Sequence, residues 1–263
     1  MSPRSDCGQP RDTAKTSALS EDLEMNKTTH SSGAPDMKGA FNELQSLAES
    51  RGMASFGVAD ISDPPIEVRF VPKETVSGLN RAISMACRIS DPVIETLEDR
   101  PTPTYRYHYR QINQLLDSAA AAATTWIQSK GYGAFPVPSS QILDWERNKG
   151  HVWHVAIACR AGIAWWGRNN LAVSPLYGAR VRYVTVLTDM PLPPSPRLER
   201  DCGECVECIA ACPAGAIGHY PEEFDVEKCN ALLSKFSKEL SLGVKICGLC
   251  VKACRGEKNW RPR

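Results

Sequence analysis

The sequence predicts an α/β (α+β) domain followed by a small domain held together by bound metal. Two observations carry this reading. Strand-like and helix-like patterns alternate through the first two-thirds of the 263-residue chain, and eight of its eleven cysteines crowd the last third. A run of prolines (Pro191, Pro193, Pro194, Pro196) separates the two regions as a stiff linker. With 42% hydrophobic residues, the chain can bury one sizeable core and carry a small appendage.

Residues 1–38 are rich in Ser, Thr, Asp, Lys and Pro without periodicity, the composition of a disordered tail. Phe41, Leu44, Leu47 and Ala48 then make a helical stripe, with Gly52 placed to cap it. Residues 54–59 read as a buried strand and 82–89 as a second, joined by a Pro-rich stretch at 64–72. Ile112, Leu115, Leu116, Ala119, Ala123 and Ile127 recur at helical spacing, so 105–131 is predicted helical, with Gly131 ending it. Pro136 and Pro138 enforce extended backbone, and Ser139 or Ser140 would cap a further helix through Ile142 and Trp145. His151 and His154, three apart on a predicted helix, could pair on a metal, although no third ligand is evident. Val181, Tyr183, Thr185 and Leu187 alternate with Arg182, Val184 and Val186, the clearest strand in the chain. The domains so drawn are a tail at 1–38, an α/β domain at 39–196 and a cysteine-rich domain at 197–263.

The composition narrows the function classes. Thirty-one basic and 30 acidic residues leave a net charge of +1, no general footprint for nucleic acid. No apolar run approaches the ~20 residues of a membrane helix. The best stretch, 152–166, is broken by His154 and Arg160, and the N-terminus lacks the apolar core of a secretory signal. The expected setting is cytoplasmic and reducing, with no membrane partner.

The chemistry lies in the cysteines. Cys202, Cys205, Cys208 and Cys212 are spaced by two, two and three residues and followed by Pro213, and then come Cys229, Cys247, Cys250 and Cys254. The first run is the spacing that wraps three thiolates around one face of a cubane and sends the fourth to a neighbouring cluster. Two 4Fe–4S clusters follow. Cys202, Cys205, Cys208 and Cys254 are assigned to one, and Cys212, Cys229, Cys247 and Cys250 to the other. Zinc also uses paired cysteines, yet it needs no such run with its proline. A disulfide framework would need an oxidising compartment. Cys7, Cys87 and Cys159 have no ligand spacing, and the last two sit in apolar stretches as small hydrophobes.

Upstream of the cysteines the chain reads Ala161-Gly162-Ile163-Ala164-Trp165-Trp166-Gly167-Arg168-Asn169-Asn170-Leu171, then Tyr177-Gly178 and Val186-Leu187-Thr188-Asp189. In this order, and continuing into Cys202, it resembles the epoxyqueuosine reductase family, itself related to the reductive dehalogenases. The resemblance covers roughly residues 40–256 and is specific from 161 to 254. It implies an α/β domain cradling a cobalamin, with a ferredoxin-like domain docked against it. Electrons from a ferredoxin or flavodoxin type of donor would cross the two clusters to cobalt. By position, the resemblance places Gly162, Gly167, Arg168 and Asn169 near the cofactor, together with the 105–110 segment. Two glycines permit close backbone approach, and Arg168 offers a cation. Trp165 and Trp166 also read simply as core aromatics beside a tight turn. No D-x-H-x-x-G motif occurs among the five histidines, which sets aside histidine-ligated cobalamin.

Two departures shape the expectation. The tRNA-acting members carry an aspartate as general acid where this chain reads Pro138-Ser139-Ser140, and the nearest carboxylate along the chain is Asp144. Those members also extend into a helical-repeat domain beyond the position of Cys254. The sequence therefore predicts that tRNA is not a partner and favours a small-molecule substrate, or none. Tyr105 and Tyr109 are the candidate proton donors, with Tyr107 and His108 beside them. The competing function is a ferredoxin-like electron carrier without a catalytic site of its own. About 150 ordered residues upstream of the cysteines are more than such a carrier needs.

Overall fold

A computed structural model describes residues 36–256 apart from 64, 147 and 148. The predicted tail thus falls, as far as 35, outside the described residues. Helix α1 (Met37–Ser50) starts where its cap allows: the Asp36 side chain accepts the Gly39 N–H at 2.9 Å. Gly52 follows the helix with φ +80°, the left-handed conformation that only glycine adopts cheaply.

The strands are β1 (Ser55–Asp60), β2 (Arg81–Arg88), β3 (Ala134–Val137), β4 (Trp165–Trp166), β5 (Ala172–Val173) and β6 (Val181–Thr188). Four of them form one sheet in the order β1-β2-β6-β3, and every pairing in it is antiparallel. The fold is therefore α+β. Ile83 faces Val58 on one side and Val186 on the other, so β2 and β6 form the buried centre. Along β6 only Arg182 escapes full burial. The simple alternation expected for this strand is hidden because both faces of the sheet are covered. Short helices α2 (Lys73–Val76) and α3 (Asp91–Glu95) flank β2 in sequence. On one face, Ile83, Val184 and Val186 pack with Leu44 of α1 and with Leu116 and Ile127 of the long helix α4 (Pro103–Ser129). On the other, Ala59, Ala82 and Leu187 pack with Ile157, from a short helix spanning His154–Arg160. Pro136 is tolerated because β3 is an edge strand.

Two expectations change. Among the described residues, no helix starts at Ser139 or Ser140. The Ser139 amide donates to Asp117 Oδ1 at 2.8 Å and its hydroxyl to Asn113 O at 3.4 Å, so the residue is tied back to α4 instead of capping forward. Asp144 then accepts the Glu146 N–H, an Asx turn that competes with a helix. The proline run is not a free spacer either. Leu192 is buried in the core, its carbonyl accepts from Arg81 Nε at 3.0 Å, and Ser195 N–H reaches Val58 O at 2.8 Å. The linker is laid along β1.

The C-terminal region carries Glu207–Ala210, Val226–Glu239 and Leu249–Ala253 as helices, with loops between. Its apolar residues Phe236, Leu242, Ile246, Leu249 and Val251 share one cluster with Ile89, Ile94, Leu97, Tyr105 and Ala179. Each such burial is worth roughly 1.5–3 kcal/mol against exposure. The cysteine-bearing segment is thus seated on the start of α4.

Candidate functional site

The eight cysteines of the two runs fall into two neighbourhoods. A cavity of about 720 Å³ is lined by Cys202, Cys205, Cys208 and Cys254 together, although Cys254 lies 46 positions beyond Cys208. Burial pushes the Cys254 thiol up to about 11, and the nearby Cys202 and Cys208 add to the effect. The other four thiols feel one another in the same way. Cys229 is pushed up to about 11 by burial and then by Cys212 and Cys247. Cys250 is raised by burial and then by Cys247, Cys229 and Cys212, with a smaller contribution from Cys208 of the first set. Thiolates in such surroundings need a bound cation. Among the described residues, no group of three or more Cys, His, Asp or Glu is gathered to hold a single metal ion. Four thiols in each neighbourhood are a donor set of the kind that would hold an iron–sulfur cluster. The Cys212 sulfur also accepts the Ala216 N–H at 3.5 Å, a contact of the kind that supports cluster thiolates.

The segment 161–171 faces the first thiol set. Arg168 donates through Nη1 to Cys205 O and through Nη2 to Gly203 O, both at 2.6 Å, and through Nε to His219 O. Its guanidinium is committed to the carbonyls of the cysteine loop. Gly162 has φ +69°, and a Cβ there would stand 2.0 Å from Pro196 O. A Cβ on Gly167 would meet Val173 at 2.5 Å and Asn169 Oδ1 at 2.8 Å. Both glycines are filled by the chain itself. Gly162, Gly167 and Arg168 therefore do not fit a cradle for a corrin ring, and no step is assigned to cobalamin. Asn169 is buried and lines the thiol cavity with Trp165.

Tyr105 and Tyr109 come together, their ring centres 6.5 Å apart. Tyr105 is buried, which holds its hydroxyl far above the usual tyrosine range, and its ring abuts Gly248 beside Cys247. Tyr109 shares a hydrogen bond of 3.0 Å with the Ser140 hydroxyl, under the Arg182 guanidinium. A second cavity of about 160 Å³ joins Tyr105, Ser139, His154, Arg182, Tyr183 and Val251. Arg182 is fixed by Asn113 Oδ1 at 2.6 Å and Ser139 O at 3.2 Å. His154 contacts Thr185 Oγ1 at 2.8 Å and Pro138 O at 3.2 Å, whereas His151 turns to Arg69 O. The two histidines do not pair, because each ring is spent on a different strand or loop. Cys87 and Cys159 pack as expected, their thiols raised by burial. Cys7 lies outside the described residues.

Sequence reasoning missed Asp117. Its carboxylate comes from α4 to hold Ser139, so the 138–140 segment does have an acid beside it. The only local signal was that Asn113 and Asp117 sit one helical turn apart, and both of them reach Ser139.

No family model matches the chain. Among curated proteins it is 34% identical over 194 residues to the epoxyqueuosine reductase of Bacillus subtilis, covering 72% of this chain and 47% of that one. It is similar to epoxyqueuosine reductases. The fold agrees at lower identity. An epoxyqueuosine reductase solved with an epoxyqueuosine-modified tRNA-Tyr stem loop superposes with a TM-score of 0.56 at 21% identity, over 76% of this chain and 58% of that one. A reductive dehalogenase described for B12-dependent dehalogenation gives 0.66 at 18%, over 82% and 31%. The chain spans less than half the length of the curated relatives named above and of others it matches. The expectation that tRNA is not a partner is overturned by these relatives, one of which holds a tRNA stem loop. Two of the grounds for it were weak. Net charge averages over the whole chain and is silent about local surface, and Asp117 supplies the carboxylate that the 138–140 segment lacks in sequence.

Proposed function

We propose that this chain is an iron–sulfur reductase of the epoxyqueuosine reductase type. Two 4Fe–4S clusters would be held by Cys202, Cys205, Cys208 and Cys254, and by Cys212, Cys229, Cys247 and Cys250. The observation that carries the reading is the cavity shared by Cys254 with the three cysteines of the first run. When bound, the clusters supply one-electron steps from a ferredoxin or flavodoxin type of donor. An exit for electrons through the second set is supported by the contact of Tyr105, at the start of α4, with Gly248 between Cys247 and Cys250. The reducing end is then the 160 Å³ cavity and the 138–140 segment above it.

There the chain's own residues have distinct tasks. Arg182, held by Asn113 and Ser139, offers a fixed cation for an oxyanion. Tyr109, with Ser140, carries an exchangeable proton at its hydroxyl, and Asp117 offers a carboxylate one residue away. Tyr105 is the poorer donor, because burial makes loss of its proton costly. The substrate class suggested by the relatives is an epoxide-bearing modified nucleoside in a tRNA stem loop.

Anaerobically reconstituted protein should bind about eight iron and eight sulfide. Cys254→Ser should disturb the signal of the first cluster and Cys212→Ser that of the second, by EPR. Stoichiometric zinc, or damage confined to the cluster nearest in sequence, would refute the ligand sets. Reduced protein given an epoxyqueuosine stem loop should yield queuosine, and a Tyr109→Phe variant should be slower by 10²-fold or more.

A further inference from the structure

Among the described residues, two buried N–H donors that line one cavity, Trp165 Nε1 and Asn169 Nδ2, lack a hydrogen-bond partner. Both residues line the cavity that holds Cys202, Cys205, Cys208 and Cys254. Asn169 is 3% exposed and Trp165 7%. The amide of Asn169 has a definite sense, because its Oδ1 accepts the Leu171 N–H at 3.3 Å and so leaves Nδ2 as the free end. An unmade buried donor costs about 1–3 kcal/mol, and two in one wall call for an acceptor. The neighbouring Trp166 makes the contrast: its indole N–H is satisfied by Asn170 at 2.9 Å. The cavity gathers four cysteine sulfurs, beside the carboxylates of Glu98, Asp201 and Glu207.

We infer that Trp165 and Asn169 donate hydrogen bonds to sulfur of the cluster held by Cys202, Cys205, Cys208 and Cys254, and thereby set its reduction potential. The inference rests on the two-cluster reading above. Donors to cluster sulfur favour the reduced, more negative state, so they raise the potential. The charged groups lining the cavity are of both signs, Glu98, Asp201 and Glu207 against Lys252 and Arg255. Both residues act through the cluster and position no substrate.

Trp165→Phe removes the N–H and keeps an aromatic ring. The variant should retain its iron while the midpoint of this cluster falls by roughly the equivalent of a tenfold change in its reduced-to-oxidised ratio, about 59 mV for one electron. Asn169→Asp, which exchanges a donor for a negative acceptor, should lower it further. The second cluster should not move. In the unsubstituted protein carrying ¹⁵N-indole tryptophan, pulsed EPR of the reduced first cluster should show a nitrogen coupling, whether or not either variant folds. Full iron with an unshifted midpoint in Trp165→Phe, or no indole coupling in the intact protein, overturns the inference. Absence of iron from the unsubstituted protein instead overturns the cluster reading on which it stands.

Discussion

At the residue scale, burial decides what each group can do. His154 shows how a buried base becomes a structural reporter. Loss of solvent, partly offset by Pro138 O, holds its pKa down at about 4 against an ordinary value near 6.5. The folded state therefore refuses a proton that the unfolded state takes up. Stability is unaffected above about pH 6.5, falls as pH drops from there toward 4, and levels off below. Over that window the loss should reach a few kcal/mol. Urea midpoints measured between pH 7 and 4 should slope downward, and His154→Gln should flatten the slope. An equal slope in the variant would assign it to other groups. None of this is legible in the sequence, where His154 reads as a candidate metal ligand beside His151. Spacing reports which residues share a helix face, and only packing reports that Thr185 and Pro138 already occupy the ring. Arg168 makes the same point. Its charge was visible in the chain, but the three carbonyls that hold it belong to a loop some 35 to 51 positions away.

At the element scale, long periodic segments were readable and short polar ones were not. The stripe from Ile112 to Ile127 marks α4, and the apolar runs mark β1, β2 and β6 within a residue or two. Each has enough repeats for burial to dominate local alternatives. The stretch after Ser139 has no such repeat, and its side-chain hydrogen bonds to α4 win. The proline segment fails in the opposite way: its backbone stiffness was plain, but its docking onto β1 depends on Leu192 finding the core. Gly162 tests that docking. A methyl group there would collide with Pro196 O at 2.0 Å and also sit at φ +69°. Gly162→Ala should cost about 1–3 kcal/mol in thermal or denaturant unfolding. It should also speed proteolysis within 190–200, and an unchanged unfolding midpoint would mean that the linker does not press on this turn.

At the scale of the whole molecule, the cysteine segment depends on two sources of stability. Phe236, Leu242, Ile246, Leu249 and Val251 are buried against the start of α4, and in the proposed two-cluster reading metal–thiolate bonding adds to that packing. Removing iron with a chelator under anaerobic conditions should loosen 197–256 first while leaving the sheet protected. Hydrogen exchange should rise in the cysteine loops by orders of magnitude and change little in β2 and β6. The helix at 249–253 should respond less than the loops, because Leu249 and Val251 keep their apolar partners. Native protection throughout 197–256 after iron loss would mean that packing alone holds the region.

The sequence by itself determined the resemblance, the helices and strands with a long period, and the cysteine spacing, because each is a property of neighbours along the chain. Only the tertiary structure decided the antiparallel order of the sheet, the arrival of Cys254 beside Cys202, the supply of Asp117 to the 138–140 segment, and the commitment of Arg168 to the cysteine loop. These depend on contacts between residues dozens of positions apart, where burial and competition for hydrogen bonds, rather than local pattern, select the partner.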